Sequence, residues 1–257
     1  MPFTHALVRP PADTFAAGIT SSRLGAPDLP LALKQHEGYC RALERLGLTL
    51  VRLPPDPEFP DSTFVEDAAI VAGRAVILTR PGAPSRAGEV ASVGAALDEW
   101  FPELDRITEP GTLDGGDVCE AGSHFFIGLS HRTNREGAAQ FAGWLKQRGF
   151  GSSMIDIREL PGMLHLKTGL SWVGGRRLLA WGVIARHEAL RGWEVFEAPE
   201  SEEYAANCIR VNDAVLVAAG FPNTAALLRD LGMPVVTVDV SEYRKMDGGL
   251  SCLSVRW

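Results

Sequence analysis

The sequence has few cysteines, and no two of them lie close together in the chain. They are Cys40, Cys119, Cys208 and Cys252, and no C-x-x-C motif is present. Structural zinc sites and small disulfide scaffolds both depend on cysteines at short spacings. The pattern therefore argues against both kinds of site, and it fits free thiols in a reducing cytosol.

Long apolar runs and an excess of positive charge are also absent. No run approaches the roughly 20 apolar residues that span a bilayer, and residues 2–5 lack the features of a signal peptide. The formal net charge of −7 disfavours nucleic acid and anionic membranes as partners and suits a cationic ligand. We therefore expect a cytoplasmic protein without a membrane or nucleic-acid partner, and the sequence leaves a homodimer open.

What the chain does contain is a unit of roughly 40 to 50 residues that recurs along its length. Each copy begins at a polar or glycine position and continues with two short apolar strands joined by a turn. Most copies then add a helix and a last strand. Four copies begin at Glu66, Gly116, His165 and Asn207. Helices are predicted at 85–100, 134–148 and 224–231.

The remaining copy is divided between the two ends of the chain. Residues 5–9 predict a strand, 30–46 a helix and 48–53 a strand, and the tail from Gly249 completes the unit. Five units that share their ends describe a ring, because a linear solenoid needs polar caps and a closed propeller hides its strand edges. We predict an α/β fold, a five-bladed α/β propeller, with residues 1–257 as one domain. A two-domain doubly wound fold is the alternative.

In such a ring, the residues that begin each unit face the central axis. They comprise a thiol, an imidazole, an amide and several carboxylates: Glu66, Asp67, Asp114, Asp117, His165, Asn207 and Cys252. Each has an ordinary structural interpretation when taken singly, as a turn acid, a core histidine or a small buried cysteine. Their equivalent positions in five units predict instead a functional site around one channel.

Cys252 follows the glycine pair 248–249 and precedes an apolar run, residues 253–255, that predicts a short strand. A thiol after a flexible turn is presented rather than packed, which suits a nucleophile. Histidine is the usual acid or base for such a thiol, and His165 can serve if Asp114 accepts its other ring N–H. The sequence therefore predicts a cysteine–histidine–aspartate site.

Further carboxylates share the predicted channel with the thiol. Asp61, Glu66 and Asp67 raise the pKa of a neighbouring cysteine, which opposes thiolate formation unless the substrate is cationic. A guanidinium satisfies this condition, and it presents a planar electrophilic carbon to sulfur. Two loop arginines, Arg86 and Arg132, are suited to a bidentate contact with an α-carboxylate. Together these groups indicate an arginine-like amino acid as substrate.

These motifs resemble those of the dimethylarginine dimethylaminohydrolases, a family of the guanidino-group-modifying pentein superfamily. The resemblance lies, in order along the chain, in residues 59–67, 79–86, 112–117, 164–167 and 205–209 and in the tail through Cys252. These stretches span nearly the whole sequence. The resemblance implies the pentein fold, a five-bladed α/β propeller, as a single catalytic domain with no metal or organic cofactor.

The resemblance also implies a role for each site residue. Cys252 is similar to the nucleophile, His165 to the general acid and base, and Asp114 to the acid that orients the histidine, with Asp117 as the alternative. Substrate binding is implied for eight residues around the guanidinium, carboxylate and α-amino groups: Ile19, Asp61, Glu66, Asp67, Arg86, Arg132, Met246 and Asp247.

Within this set, the adjacent glutamate and aspartate are similar to the guanidinium-holding acids, and the two arginines to the carboxylate clamp. Asp61, with backbone near Ile19 and Met246, is similar to the α-amino site, where Asp247 is a further candidate. The loop 18–25 is similar to a lid that closes over the substrate.

The reaction implied by the resemblance hydrolyses Nω,Nω-dimethyl-L-arginine and Nω-methyl-L-arginine to L-citrulline and the corresponding amine, through a covalent thiouronium on the cysteine. Two alternatives remain, namely an arginine or agmatine deiminase and a non-catalytic pentein that only binds a partner. Deiminases of the superfamily carry an acid two residues after the histidine, where this chain has Lys167. Agmatine also lacks the carboxylate that an arginine clamp would bind.

Overall fold

A computed structural model describes residues 2–257 of the chain. Its strands form five three-stranded sheets. In chain order the strands are β1 His5–Val8, β2 Thr49–Arg52, β3 Ala69–Ala72, β4 Ala75–Leu78, β5 Leu104–Arg106, β6 Val118–Ala121, β7 His124–Leu129, β8 Gly151–Asp156, β9 Leu170–Gly174, β10 Arg177–Ala180, β11 Glu194–Glu197, β12 Ile209–Val211, β13 Ala214–Ala218, β14 Val235–Val238 and β15 Val255–Arg256.

All five sheets share one topology. The first strand of each pairs antiparallel with the second, and the second pairs parallel with the third, as in β3-β4-β5. The sheet β15-β1-β2 joins the two ends of the chain, with Ala6 opposite Arg256 and Leu7 opposite Val255. Each sheet is one blade, and the C-terminal strand closes the ring. The five-bladed α/β propeller predicted from the repeat is confirmed.

Two-residue turns join the first and second strands of four blades. The first turn residue has a positive φ in each of them: 64° at Gly73, 69° at Gly122, 57° at Gly175 and 54° at Asn212. Glycine adopts this left-handed conformation without a steric penalty, and asparagine tolerates it better than most residues. The turns therefore occur where the sequence provides these residues.

The helices lie outside the strands, and two of them begin at side-chain caps. Asp28 accepts a hydrogen bond from Leu31 N at 2.7 Å, and Asn134 accepts one from Gly137 N at 2.8 Å. No helix within residues 2–257 combines the length and apolar content needed to cross a membrane. The helices are α1 Leu29–Arg45, α2 Glu89–Asp98, α3 Arg135–Gln147, α4 Pro222–Asp230 and α5 Ser241–Arg244.

The predicted and observed helices differ in one respect. The helix predicted at 85–100 begins at Glu89, because Pro84–Arg86 forms a separate 3₁₀ turn. The blade β9-β10-β11 has no α-helix between its last two strands. Two short 3₁₀ segments, Gly182–Arg186 and Glu188–Leu190, connect them instead.

Buried apolar side chains form five clusters, and each cluster is shared by two neighbouring blades. One cluster joins Leu7 and Val255 of the closing blade to Val76 and Leu78 of the next blade. The others repeat this arrangement around the ring. Because each blade is stabilised by both neighbours, the ring has no weakly packed end.

Short 3₁₀ segments precede the inner strand of every blade, and they gather at one end of the axis. They are Val65–Ala68, Gly115–Asp117, Leu166–Thr168, Glu200–Ala206 and Ser251–Leu253. Four pairs of these segments are in contact around the ring. The arrangement places the residues that begin each repeat next to one another, as the sequence predicted.

One local prediction was wrong. The run 253–255 was expected to form a strand directly after Cys252, but this cysteine lies inside the 3₁₀ turn Ser251–Leu253 and the strand begins at Val255. The reason is pairing, since β1 provides a partner only from Leu7 opposite Val255 onward. The predicted nucleophile therefore lies on a tight turn that is held by side chains.

Candidate active site

A small cavity of about 30 Å³ lies at the end of the axis where the 3₁₀ turns meet. Its lining includes Phe64 and Leu164 together with nine predicted site residues: Ile19, Asp61, Asp67, Arg86, Arg132, His165, Met246, Asp247 and Cys252. The other two predicted residues, Asp114 and Glu66, do not line this cavity. A wider cleft of about 570 Å³ shares Cys252 and His165 and continues toward Trp181 and Tyr204.

The Cys252 side chain is partly exposed at the junction of the cavity and the cleft. Its sulfur accepts a hydrogen bond from Gly249 N at 3.4 Å. Burial, followed by the charges of Glu66 and Asp67, raises the pKa of the Cys252 thiol to about 12. The other three cysteines are buried and unpaired. In the free protein this cysteine is therefore a thiol near neutral pH, which agrees with the prediction for a site that receives a cation.

The imidazole of His165 is held by a carboxylate behind it. His165 Nε2 lies 3.0 Å from Asp114 Oδ2, and the fully buried Asp114 also accepts a hydrogen bond from Gly82 N at 2.8 Å. The opposite edge of the ring packs on Gly116, where an added Cβ would lie 2.6 Å from Nδ1. The ring therefore has one available position, with its orientation set by the aspartate.

Asp117 was the alternative partner for the histidine, but it contacts other groups. Its carboxylate accepts hydrogen bonds from Ser130 Oγ at 2.6 Å, Thr133 Oγ1 at 2.7 Å and Leu166 N at 2.9 Å. These bonds hold the loop after β7 and the turn that carries His165. Asp117 thus stabilises the two segments that surround His165, and Asp114 is the carboxylate in contact with the imidazole ring.

The charge on His165 is decided by its acidic surroundings. Burial alone would lower the pKa of the imidazole, but Asp67, Asp117 and Asp114 outweigh burial and raise the pKa to about 9. The ring is therefore an imidazolium at neutral pH. It can donate a proton to a leaving group before it accepts one from water.

The two predicted clamp arginines differ in how they are bound. Arg86, which is 4% exposed, donates from Nη1 to Asp67 at 2.6 Å and from Nε and Nη2 to Glu89 at 2.9 and 2.8 Å. Arg132 has one looser ion pair, with Nη1 at 3.9 Å from Asp114 Oδ2. Arg132 is thus the freer of the two donors toward a ligand.

The pairing of Arg86 with Glu89 was missed at the level of sequence. The signal was present, since an acid three residues after a basic residue at a helix start faces it. Arg86, after His165, also keeps the Asp67 carboxylate ionised, because both cations lower the pKa of that carboxyl although burial acts in the opposite direction. The aspartate therefore faces the cavity with a full negative charge.

Glu66 lies on the far side of the cavity floor. Its Oε1 pairs with Lys167 Nζ at 2.5 Å, and its Oε2 accepts a hydrogen bond from Ser251 Oγ at 2.8 Å. The side chain lines a separate cavity of about 110 Å³ that runs along the inner strands behind the floor. Its contact with a guanidinium stays a prediction, and Asp67 is the member of the acidic pair that lines the cavity of Cys252.

The predicted lid is attached at three points, one of which is a hydrogen bond from Thr20 Oγ1 to Lys245 O at 2.9 Å. Ile19 N donates to both oxygens of Asp61, at 3.2 and 3.1 Å. Two residues further on, Ser21 donates to Asp247 Oδ2 from its N at 2.5 Å and from its Oγ at 2.9 Å. Asp247 is therefore a lid contact in this conformation, a role that the sequence did not indicate.

Three site residues could in principle offer ligand atoms to a metal ion. Atoms of Asp67, Asp114 and His165 lie within 4.8 Å of one another. These same atoms are used within the protein, because Asp114 contacts the histidine ring and Asp67 receives hydrogen bonds from Arg86 and Gly116. The two carboxylates therefore already have partners within the protein. The expected lack of a metal or cofactor stays a prediction.

Comparison with known proteins identifies relatives along the whole chain, although no family model matches it. The dimethylarginine dimethylaminohydrolase of Pseudomonas aeruginosa is 44% identical over 99% of this chain and 100% of its own length. The corresponding protein of Streptomyces coelicolor is 36% identical over 100% of this chain and 98% of its own.

Solved structures agree with these relatives. A cysteine-to-serine mutant of the Pseudomonas aeruginosa protein in complex with citrulline has a TM-score of 0.96 and 43% identity, with full coverage of both chains. The N-terminal domain of the arginine dihydrolase ArgZ has a TM-score of 0.86 but only 19% identity, covering 98% of this chain and 97% of that one. The second match indicates a shared fold alone.

Proposed function

The chain belongs to the dimethylarginine dimethylaminohydrolase family, and we propose that it hydrolyses Nω,Nω-dimethyl-L-arginine and Nω-methyl-L-arginine. The products are L-citrulline and dimethylamine or methylamine. The observation that carries the proposal is the small cavity in which Cys252, the Asp114-bound His165 and the ionised Asp67 meet. The citrulline complex of the Pseudomonas aeruginosa relative supports the same product.

The substrate is recognised by charge at both ends. Asp67 holds the guanidinium beside Sγ, and Asp61, with the backbone of Ile19 and Met246, receives the α-amino group. Arg132 binds the α-carboxylate, assisted by Arg86. Because the cavity has only about 30 Å³, the lid must open to admit this substrate, and its closure then excludes water from the reacting carbon.

In the first half of the reaction, the bound guanidinium lowers the pKa of the Cys252 thiol by placing a positive charge near sulfur. The thiol passes its proton to solvent water, and Sγ forms a bond to the guanidinium carbon. His165 then donates its proton to the methylated nitrogen, and the C–N bond breaks with its electron pair on that nitrogen. Dimethylamine leaves, and a cationic thiouronium remains on the cysteine.

In the second half, the now neutral His165 accepts a proton from water, and the oxygen attacks the same carbon. The C–S bond breaks and its electron pair returns to Cys252 Sγ, which takes the hydroxyl proton from the product oxygen and becomes a thiol again, and citrulline is released. The balance is one cationic substrate and one water consumed for one citrulline, one dimethylamine and one proton, which the amine binds at neutral pH. Asp114 keeps the ring oriented through both proton transfers.

The preference for methylated over unmodified arginine rests on Lys167. A deiminase would place an acid at this position to pair with the second guanidinium nitrogen. Here the residue is a cation, and its ammonium is already bound to Glu66 at 2.5 Å. An unmodified guanidinium therefore lacks one charged partner, whereas a methylated nitrogen does not require it.

Three broader features belong to the same proposal. The chain acts as a single catalytic domain, which is supported by the blade that its two ends share. It works in the cytoplasm, which is supported by four unpaired cysteines. Its small-molecule partner is a methylated arginine, and a homodimer is compatible with the ring.

The proposal is tested by incubating the protein with Nω,Nω-dimethyl-L-arginine and following the products by proton NMR. Citrulline and dimethylamine should appear in equal amounts. The Cys252→Ser variant should retain less than a few per cent of kcat, because a serine hydroxyl has a far higher pKa than a thiol. Cys40→Ala and Cys208→Ala are matched controls and should keep their activity. Turnover by the serine variant would overturn the assignment of the nucleophile.

A further inference from the structure

The carboxamide of Asn207 lies beneath the turn that carries the reactive thiol. This side chain is 7% exposed, and it uses its hydrogen-bonding groups within the site. Oδ1 accepts a hydrogen bond from Ser251 N at 3.0 Å, and Nδ2 donates to Lys167 O at 2.9 Å and to Ser251 Oγ at 3.0 Å. One asparagine therefore joins the cysteine turn to the turn that follows His165.

The same carboxamide packs against the backbone of Gly249. A Cβ added to this glycine would lie 2.6 Å from Asn207 Cγ, so the close approach requires the absence of a side chain. Gly249 N in turn donates to Cys252 Sγ at 3.4 Å. An N–H directed at sulfur stabilises the thiolate relative to the thiol. The position of that N–H thus depends on the contact between Gly249 and Asn207.

Asn207 also determines where the Ser251 hydroxyl proton points. Because Nδ2 can only donate, Ser251 Oγ is the acceptor in that contact. The serine proton is then directed to Glu66 Oε2 at 2.8 Å. Cys252 Sγ lies 3.9 Å from Ser251 Oγ, which is too long for a strong hydrogen bond. The hydrogen bonds therefore run in one direction, from asparagine to serine to glutamate, and they keep the serine proton away from sulfur.

We propose that Asn207 is a positioning residue of the reaction, which holds the turn from Gly249 to Cys252 so that the Gly249 N–H faces Sγ. Its contribution to turnover rests on the proposed function. Its effect on the sulfur does not, since thiol reactivity can be measured without any substrate. The repeat predicts that Asn207 lies on the axis with the predicted catalytic groups.

The test compares Asn207→Ala and Asn207→Asp with the wild-type protein. Asn207→Ala removes the support of the turn and should lower kcat about tenfold or more, while KM changes by less than about threefold. Asn207→Asp keeps the shape and one acceptor but loses the Nδ2 donors and adds a negative charge below the turn. The rate at which iodoacetamide alkylates Cys252 at a fixed pH of about 9 should fall in both variants and more in Asn207→Asp, because a higher pKa leaves a smaller fraction of thiolate.

Two further variants separate positioning from stability. Ser251→Ala should give part of the Asn207→Ala effect, and the double variant should be no worse than Asn207→Ala alone, because the two residues act as one unit. Asn212→Ala is the matched control on the same blade. Asn212 donates to the backbone of Phe3 and Leu46 and has a left-handed φ of 54°, so its replacement should lower the Tm and leave alkylation of Cys252 unchanged.

The proposal is overturned if Asn207→Ala lowers the Tm as Asn212→Ala does but leaves the alkylation rate of Cys252 at its wild-type value. It is also overturned if Asn207→Asp is alkylated at the wild-type rate. If the wild-type protein does not consume methylated arginine, the proposed function fails, but the alkylation comparison still decides the role of Asn207.

Discussion

At the scale of single residues, the chemistry depends on how protons are shared between Cys252 and His165. The thiol keeps its proton because burial and two carboxylates raise its pKa to about 12. Although burial acts against the charged imidazole, the surrounding acids raise the pKa of His165 to about 9. The free protein therefore holds a thiol beside an imidazolium near pH 7, and we expect the thiol to ionise only when a cationic ligand is bound.

This distribution predicts how the thiol reacts with two alkylating reagents of different charge. A cationic haloacetamidine occupies the guanidinium position and lowers the pKa of Cys252, whereas neutral iodoacetamide does not. The cationic reagent should therefore inactivate much faster at pH 7 and report a lower apparent pKa. The measurement is the inactivation rate against pH for each reagent. The account is wrong if both report the same pKa, well below 7, because the cysteine would then be ionised before binding.

The two clamp arginines should respond differently to replacement. Arg132→Ala removes a charge-assisted contact worth about 1.5–3 kcal/mol, so kcat/KM for dimethylarginine should fall about ten- to a hundredfold. Inhibition by agmatine, which has no carboxylate, should hardly change. Arg86→Ala leaves Asp67 and Glu89 buried without their partner, which should also cost about 3–5 kcal/mol of unfolding free energy.

Kinetics and thermal unfolding of the two variants distinguish these roles. A loss of stability in Arg132→Ala as large as in Arg86→Ala would make both arginines structural. An equal loss of affinity for agmatine and dimethylarginine would show that the arginines do not bind the α-carboxylate.

At the scale of elements, the lid at 18–25 and the five 3₁₀ turns build the site on the rigid ring. The turns are tied to one another by side chains, whereas the lid is attached through Asp61, Asp247 and the carbonyl of Lys245. Asp247 has a φ of 57°, in the left-handed region, and its carboxylate accepts two hydrogen bonds from Ser21. Asp247 is therefore a contact through which closure of the lid can be tested.

Asp247→Gly should loosen the lid without straining the backbone, since glycine accepts the left-handed conformation. The KM for dimethylarginine should rise about tenfold, which corresponds to the loss of one charge-assisted hydrogen bond. Trypsin should cleave after Arg23, an exposed lid residue, faster than in the wild-type protein. Ser22→Ala is the control, because Ser22 contacts only the lid itself. Unchanged cleavage and an unchanged KM in Asp247→Gly would show that the contact between Asp247 and Ser21 does not hold the lid closed.

Many of these local elements could be predicted from the sequence, because they recur in each repeat. Residues at equivalent places in the repeats form the turns at Gly73, Gly122 and Asn212 and put His165 on the axis. The pairing of Glu66 with Lys167 and Ser251 could not be predicted. The pairing depends on which of the two cavities the Glu66 side chain faces, and the repeat pattern in the sequence does not determine that direction.

At the scale of the whole molecule, closure of the ring and placement of the nucleophile are linked. The C-terminal strand β15 pairs with β1, and Trp257 O accepts hydrogen bonds from Thr4 N at 2.7 Å and His5 N at 2.9 Å. Cys252 lies three residues before this strand. The two ends of the chain therefore hold the thiol at the axis from the blade that they share.

Removal of residues 255–257 should open the ring. The change exposes the edge of β1 and removes Val255 from its apolar cluster, which should cost at least about 2 kcal/mol of unfolding free energy. Thermal unfolding should occur at a lower temperature, and turnover should be lost. The control is a circular permutant that joins Trp257 to the N-terminus by a short glycine linker and begins at Arg176, in an exposed turn.

This permutant keeps every blade and should retain activity. If the truncated protein keeps the stability and turnover of the full chain, ring closure does not position the nucleophile.

The most direct test of the central claim is the ratio of kcat/KM for Nω,Nω-dimethyl-L-arginine to that for L-arginine. Because Lys167 stands where a deiminase carries an acid and is bound to Glu66, unmodified arginine lacks a charged partner worth about a factor of ten. The methylated substrate should therefore exceed arginine at least tenfold and release dimethylamine with citrulline. Release of ammonia from arginine at a comparable kcat/KM would contradict the account and make the protein a deiminase.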